Sequence, residues 1–128
     1  TCYAAERPGR AFAIPSLGQI RYLSAVKYAD AVIGNSSSGI IEVPSFDVPT
    51  VNVGLRQKGR LAAKSVLHCA TVDEDILEAI ELAVSRKYKQ KDEVIINPYG
   101  QGDTSSRVIE MIKSLDFTPM KVFHDLEV

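Results

Sequence analysis

Apolar and polar positions along the chain predict short buried strands separated by helices. Two apolar runs with β-branched residues, at 31–33 and Thr50–Val53, are each followed by Gly, Asn or Ser, which is typical of buried parallel strands. Weaker strands are predicted at residues 12–14 and 66–68. These four segments predict a small sheet.

The segments between and after these apolar runs have the periodicity of helices. Apolar residues at helical spacing predict a first helix over Gly18–Tyr28. A longer helix should begin at the capping-box sequence Thr-Val-Asp-Glu of residues 71–74 and run to about residue 86. The charged, aperiodic segment 87–93 is predicted to be a solvated loop. A last helix is predicted over residues 104–115, after a segment dense in turn residues.

The order of these elements indicates the fold class. Parallel neighbouring strands need crossover connections, so the mixture of strands and helices predicts an α/β domain with helices on both faces of a parallel sheet. With 128 residues, of which 45% are apolar, the chain can bury one core of ordinary domain size. We therefore predict a single domain over residues 1–128, with its core at about 12–116 and a tail at 117–128.

Charge and composition narrow the range of partners. Fifteen basic and sixteen acidic residues give a net charge of -1, and no block of like charge suggests nucleic acid or an anionic membrane. No apolar run approaches the ~20 residues that cross a bilayer, and no leader opens the chain, so a soluble, cytoplasmic protein is expected. Two cysteines and two histidines lack metal-ligand spacing, and neither a metal nor a cofactor is expected.

Small polar residues follow the first strong strand. Ligands of open parallel sheets bind beyond the carboxyl ends of strands, where this chain has Gly-Asn-Ser-Ser-Ser-Gly at 34–39 and then a short helix through Glu42. Small residues allow a ligand to approach the backbone, and the free amides and dipole of a helix N-terminus favour phosphate. The predicted diphosphate cradle consists of Ser36, Ser37, Ser38 and Gly39.

Two charged side chains complete this candidate site. Glu42 lies about one turn into the short helix, where its carboxylate can accept hydrogen bonds from vicinal hydroxyls such as those of a ribose. Arg56 opens the basic loop Arg-Gln-Lys-Gly-Arg after the second strand, and its planar fork can bond two phosphate oxygens. Each feature alone also fits a helix cap, a first-turn carboxylate or a solvated turn. Their occurrence at two adjacent strand ends favours the binding interpretation.

A serine nucleophile fits the same turn poorly. The G-x-S-x-G elbow around Ser36 would need glycine at the position of Ser38. His68 follows downstream, but the sequence offers no convincing acid to orient it. Serine-triad hydrolysis is therefore not predicted.

Four segments carry a pattern that can be compared with known families: SLGQIRYL at 16–23, VIGNSSSGIIE at 32–42, RQKGR at 56–60 and NPYGQG at 97–102. Together they resemble the hydrolysing UDP-N-acetylglucosamine 2-epimerases, which make N-acetylmannosamine for sialic-acid-type sugars. Non-hydrolysing relatives usually carry an Asp-Ser-Gly-Gly turn and a Gln-Glu-Glu helix start, so Asn-Ser-Ser-Ser and Ile-Ile-Glu favour the hydrolysing branch. The resemblance covers about residues 12–116.

The resemblance implies a GT-B-type enzyme in which two Rossmann-like halves close over a UDP-sugar, and this chain matches only the C-terminal half. It implies that Ser36 and Ser37 hold the diphosphate, Glu42 the ribose and Arg56 the nucleotide, with Leu17 beside the uracil. The acidic residues credited with proton transfer lie in the family's N-terminal domain. No catalytic residue is therefore expected in this chain, and its expected partners are a UDP-sugar and that missing domain.

Three hypotheses of function follow. The first is one half of an epimerase that eliminates UDP from the sugar and then hydrates the glycal. The second is a truncated stand-alone module that binds UDP weakly or forms a homo-oligomer through an uncovered apolar surface. The third is a GT-B glycosyltransferase domain, for which the combination of serine turn and Arg-Gln-Lys-Gly-Arg loop would be unexpected.

Overall fold

A parallel three-stranded sheet forms the centre of the part of the chain that the structure describes. The computed structural model describes residues 2–89, 95–100 and 102–116. The predicted tail at 117–128 and residues 90–93 of the predicted loop lie outside the described residues.

The strands are β1 (Val32–Gly34), β2 (Thr50–Val53) and β3 (Val66–Cys69), and they lie side by side in chain order. Both pairs are parallel. Gly34 is level with Asn52, so the carboxyl ends of β1 and β2 are neighbours at one edge of the sheet. The loops that leave these two strands therefore start side by side.

Helices precede, connect and follow these strands. In chain order they are α1 (Cys2–Ala5), α2 (Gly18–Tyr28), α3 (Ser38–Ile41), a 3-10 helix (Val43–Phe46), α4 (Asp73–Lys89) and α5 (Thr104–Ser114). The predicted bounds of α2 are confirmed, and those of α5 differ by one residue at the end. Because α4 continues to Lys89, the first part of the predicted solvated loop is helical instead.

Helices cover both faces of the sheet. On one face Val26 of α2 packs with Val43, and Val32 of β1 lies against them. On the other face Val51 of β2 packs with Ala83 of α4. The central strand is buried from both sides, which explains its continuous apolar character. The predicted α/β class, with a Rossmann-like parallel sheet, is confirmed.

The predicted weak strand at residues 12–14 is wrong. These residues form no strand, and the side chains of Phe12 and Ile14 are 78% and 57% exposed. A short apolar run becomes a strand only where a neighbouring strand accepts its backbone hydrogen bonds and a core covers its side chains. Neither is provided to this segment by the described residues.

The predicted capping box is also wrong. The Ile76 amide donates to the Val72 carbonyl at 3.0 Å, so Val72 is the N-cap of α4 and the helix starts one residue later than the motif requires. No hydrogen bond joins Thr71 and Glu74 in the described part of the chain. The acidic first turn of α4 still complements the partial positive charge of a helix N-terminus.

Candidate functional site

The serine turn, residues 35–38, leaves β1 and winds directly into α3. The Ser36 hydroxyl accepts a hydrogen bond from the Ser38 amide at 3.3 Å, and the Ser37 carbonyl accepts one from the Ile41 amide at 2.9 Å. Within the described residues the amides of Ser36 and Ser37 donate to no protein acceptor. Since α3 has only four residues, its dipole is small, and these two free amides are the groups that can bind an anion.

Ser38, unlike Ser36 and Ser37, has a hydroxyl that is hydrogen-bonded to a side chain of another helix. Its Oγ lies 2.8 Å from the Tyr22 hydroxyl in a partly buried hydrogen bond. This contact ties the start of α3 to α2. The Ser36 hydroxyl accepts from the Ser38 amide, but neither it nor the Ser37 hydroxyl donates to an acceptor among the described residues. The predicted contact of Ser38 with a ligand stays a prediction.

Gly39 lets α3 pack closely on the central strand. A Cβ at this position would lie 2.7 Å from Thr50 Cγ2, which is closer than carbon atoms approach without displacement. The Thr50 hydroxyl donates to the Gly39 carbonyl at 2.7 Å. Glycine is thus required here for packing, and its predicted contact with a ligand remains untested.

The basic loop, residues 54–60, contacts the serine turn. Gln57 is only 3% exposed, and its Nε2 donates to the Asn35 carbonyl at 2.9 Å. Arg56, next to it in the chain, is exposed. The structure thus brings together the two predicted binding segments through Gln57, which no sequence pattern marks as a site residue.

Glu42 and Leu17 lie on the two helices nearest the turn. Glu42 is half-buried at the end of α3, and its carboxylate forms no ion pair among the described residues. Leu17 is half-buried at the N-cap of α2, the helix that Tyr22 joins to α3. Both residues remain candidates: the Glu42 carboxylate accepts no hydrogen bond in the part of the chain that the structure describes, and Leu17 keeps an apolar side chain partly exposed.

A segment far along the chain supports both halves of the candidate site. Asn97 is buried, and its Nδ2 donates to the Ile41 carbonyl at 2.8 Å and to Ser45 Oγ at 2.7 Å. The Tyr99 hydroxyl donates to the Leu61 carbonyl at 2.9 Å, just after the basic loop. Asn97 and Tyr99 therefore hold the end of α3 and the exit of the loop. The only sequence signal for this role was their place in the NPYGQG segment.

Two cavities lie away from the serine turn. One, of about 430 Å³, lies between β3 and α4, and the other, of about 360 Å³, lies beside Asn97. Neither is lined by the predicted site residues. The predicted site residues therefore lie outside these two cavities.

Cys69 lines the larger cavity but is not activated as a nucleophile. Burial, together with the negative charge of Asp75, raises the pKa of its thiol above the ordinary value. Only the thiolate is strongly nucleophilic, so the thiol stays protonated at neutral pH. The cavity therefore offers no cysteine chemistry.

An open parallel sheet with two loops joined at adjacent strand ends defines the chain as a Rossmann-like α/β domain. A sequence model of the UDP-N-acetylglucosamine 2-epimerase family matches residues 3–113. The chain belongs to this family. In the described residues no helix combines the length and apolar character that crossing a membrane requires.

Individual relatives agree with this assignment. The chain is 36% identical over 104 residues to polysialic acid biosynthesis protein P7 of Escherichia coli, a match covering 81% of this chain and 27% of the relative. It is 42% identical over 88 residues to a GDP/UDP-N,N'-diacetylbacillosamine 2-epimerase (hydrolyzing) of Campylobacter jejuni, covering 69% and 22%. A UDP-N-acetylglucosamine 2-epimerase of Neisseria meningitidis is 34% identical over 105 residues, covering 80% and 27%. The chain thus spans about a quarter of the length of these relatives.

Proposed function

We propose that this chain is the UDP-sugar-binding half of a hydrolysing UDP-N-acetylglucosamine 2-epimerase, which converts UDP-N-acetylglucosamine to N-acetylmannosamine and UDP. The observation that carries the proposal is the contact between the serine turn and the basic loop. It places two free backbone amides and an exposed arginine on neighbouring loops of a family member. Such a combination suits the two phosphates of a nucleotide sugar.

Each candidate residue has a separate role in this proposal. Ser36 and Ser37 hold the diphosphate through their amides and hydroxyls, and Arg56 neutralises its charge. Glu42 accepts hydrogen bonds from the ribose hydroxyls, and Leu17 contacts the uracil. Ser38 and Gly39 shape the turn through their contacts with Tyr22 and Thr50.

The proposed reaction divides its chemistry between two domains. Elimination of UDP across C1 and C2 needs a base for the C2 proton and stabilisation of the departing diphosphate, and water then adds to the glycal. This chain supplies the second function through its amides and Arg56. The base belongs to an N-terminal domain of a GT-B-type enzyme, so the chain alone is inactive. A cytoplasmic location stays a prediction.

The hydrolysing branch is supported by two features. The turn reads Asn-Ser-Ser-Ser and the following helix Ile-Ile-Glu, rather than the glycine-rich turn of the non-hydrolysing relatives. The Campylobacter jejuni relative is itself named as hydrolyzing. A glycosyltransferase is disfavoured, because the family match is to epimerases.

Calorimetric titration of the chain with UDP tests the proposal. We expect saturable binding, with weaker binding of uridine, because the diphosphate provides the charge-assisted contacts. The same titration with inorganic sulfate replacing UDP controls for general anion binding. Absence of saturable binding at millimolar UDP would contradict the proposed half-site.

A self-associating module is the second candidate function, and α5 is the observation that favours it. No residue of α5 is buried, and its apolar side chains are all about half-exposed or more, namely those of Val108, Ile109, Met111 and Ile112. Contiguous exposed apolar surface of this kind marks protein interfaces. Size measurement over a dilution series should then show a monomer–dimer equilibrium, which Met111→Glu should shift to monomer. A monomer at all concentrations would exclude this function.

A further inference from the structure

We propose that Gln57 is a positioning residue that turns the Ser36 amide toward the diphosphate. The inference rests on the proposed function, because it concerns how the same nucleotide site is formed. It concerns a buried side chain that itself touches no ligand. Arg56 and Gln57 are consecutive but differ in exposure, since the arginine is exposed and the glutamine is buried.

The orientation of the Gln57 amide is determined by a single contact. Its Nε2 donates to the Asn35 carbonyl at 2.9 Å, while its buried Oε1 accepts no hydrogen bond from the residues that the structure describes. The partner is a carbonyl, which accepts only, so the NH₂ end must face it. A buried side-chain amide that donates to a backbone carbonyl 22 positions away restrains the orientation of that peptide.

Planarity of the peptide bond transmits the effect to Ser36. In a trans peptide the carbonyl of one residue and the amide N–H of the next point in opposite directions. Because the Asn35 carbonyl points at the buried Gln57 side chain, the Ser36 N–H points away from it. Ser36 is exposed, and its amide has no acceptor among the described residues.

The opposite orientation of this peptide would prevent phosphate binding. It would direct the Asn35 carbonyl oxygen outward, where its lone pairs would repel a phosphate oxygen, and would remove the Ser36 donor. Gln57 therefore selects the orientation that binds an anion before the ligand arrives. Such preorganisation spares the ligand the cost of ordering the turn.

Gln57→Leu tests this role, because leucine preserves much of the side-chain volume and removes the donor. We expect UDP affinity to fall about tenfold, as for the loss of one charge-assisted hydrogen bond, with uridine affinity unchanged. In the ¹⁵N–¹H spectrum of the wild-type chain, the resonance of the Ser36 amide proton should shift downfield on titration with UDP. In the variant this resonance should not shift downfield. Equal weakening of UDP and uridine would overturn the inference, because the residue would then only hold the loop.

Gln57→Glu provides a second test that does not depend on how well leucine is tolerated. At pH 8 the carboxylate would repel the Asn35 carbonyl, so UDP binding relative to wild type should be as weak as in Gln57→Leu. A carboxyl group has an ordinary pKa of about 4.3, which burial raises. As the pH falls to 5, the protonated group can donate again and relative affinity should recover. A ratio of variant to wild-type UDP affinity that does not change between pH 8 and pH 5 would overturn the inference.

These outcomes separate the inference from the function on which it rests. Failure of the wild-type chain to bind UDP would reject the proposed function and this role with it. Normal UDP binding by both Gln57 variants would reject the role alone. The far-ultraviolet circular dichroism of each variant should match wild type, which verifies that the sheet and helices persist during the measurements.

Discussion

Arg56→Ala is expected to weaken UDP binding by about 1 to 3 kcal/mol, or roughly fivefold to 150-fold. Arg56 is exposed at the carboxyl end of the central strand, and no ion pair engages it among the described residues. Its guanidinium is thus available to bond two phosphate oxygens. Alanine would remove both the charge and the donors, and would change no contact of the core.

Calorimetric titration of wild type and variant measures this effect, with uridine as the second ligand. The loss should be large for UDP and small for uridine, and it should shrink at high salt because part of it is electrostatic. Arg107→Ala, at an exposed arginine of α5, is the matched control and should bind UDP as wild type does. Equal affinity of Arg56→Ala and wild type would remove this residue from the site.

Glu42→Ala should weaken UDP binding by a similar amount, about 1 to 3 kcal/mol, through a different part of the ligand. The carboxylate is half-buried at the end of α3 and has no cation as partner in the described residues. A carboxylate accepts hydrogen bonds only, so hydroxyl groups are its natural ligands. The vicinal hydroxyls of the ribose meet this requirement.

A double-mutant cycle with 2′-deoxy-UDP identifies the contact. If Glu42 binds the 2′-hydroxyl, removing both partners should cost less than the sum of the separate losses. Glu110→Ala, at an exposed glutamate of α5, serves as the control and should leave both affinities unchanged. Strictly additive losses would show that Glu42 acts elsewhere on the nucleotide.

The candidate site has the form expected of one side of a cleft. Its groups lie on short loops at the end of a sheet, and the two cavities described above lie elsewhere. Small residues in the serine turn expose backbone amides, while Gln57, Tyr22 and Asn97 hold that turn and α3 from behind. Binding groups on loops thus gain precision from partly buried hydrogen bonds to distant parts of the chain.

The sequence predicted local structure correctly where an apolar pattern was long or where the segment is packed on both of its faces. The helix Gly18–Tyr28 and the strand Thr50–Val53 have their predicted bounds. The wrong predictions rested on short signals. The apolar run at 12–14 pairs with no strand among the described residues, and α4 starts one residue later than the capping motif at 71–74 predicts. A few residues carry too little free energy to form an element without tertiary support.

The sequence by itself determined the α/β class, the family resemblance and the two loops at strand ends, because periodicity and motifs are local properties. Only the tertiary structure decided which side chains hold these loops together. The decisive hydrogen bonds join Gln57 with Asn35, Tyr22 with Ser38, and Asn97 with Ile41. The partners are separated along the chain by 22, 16 and 56 positions, respectively. Such partners have no shared pattern along the chain, since packing of the sheet and helices alone brings them within hydrogen-bonding distance.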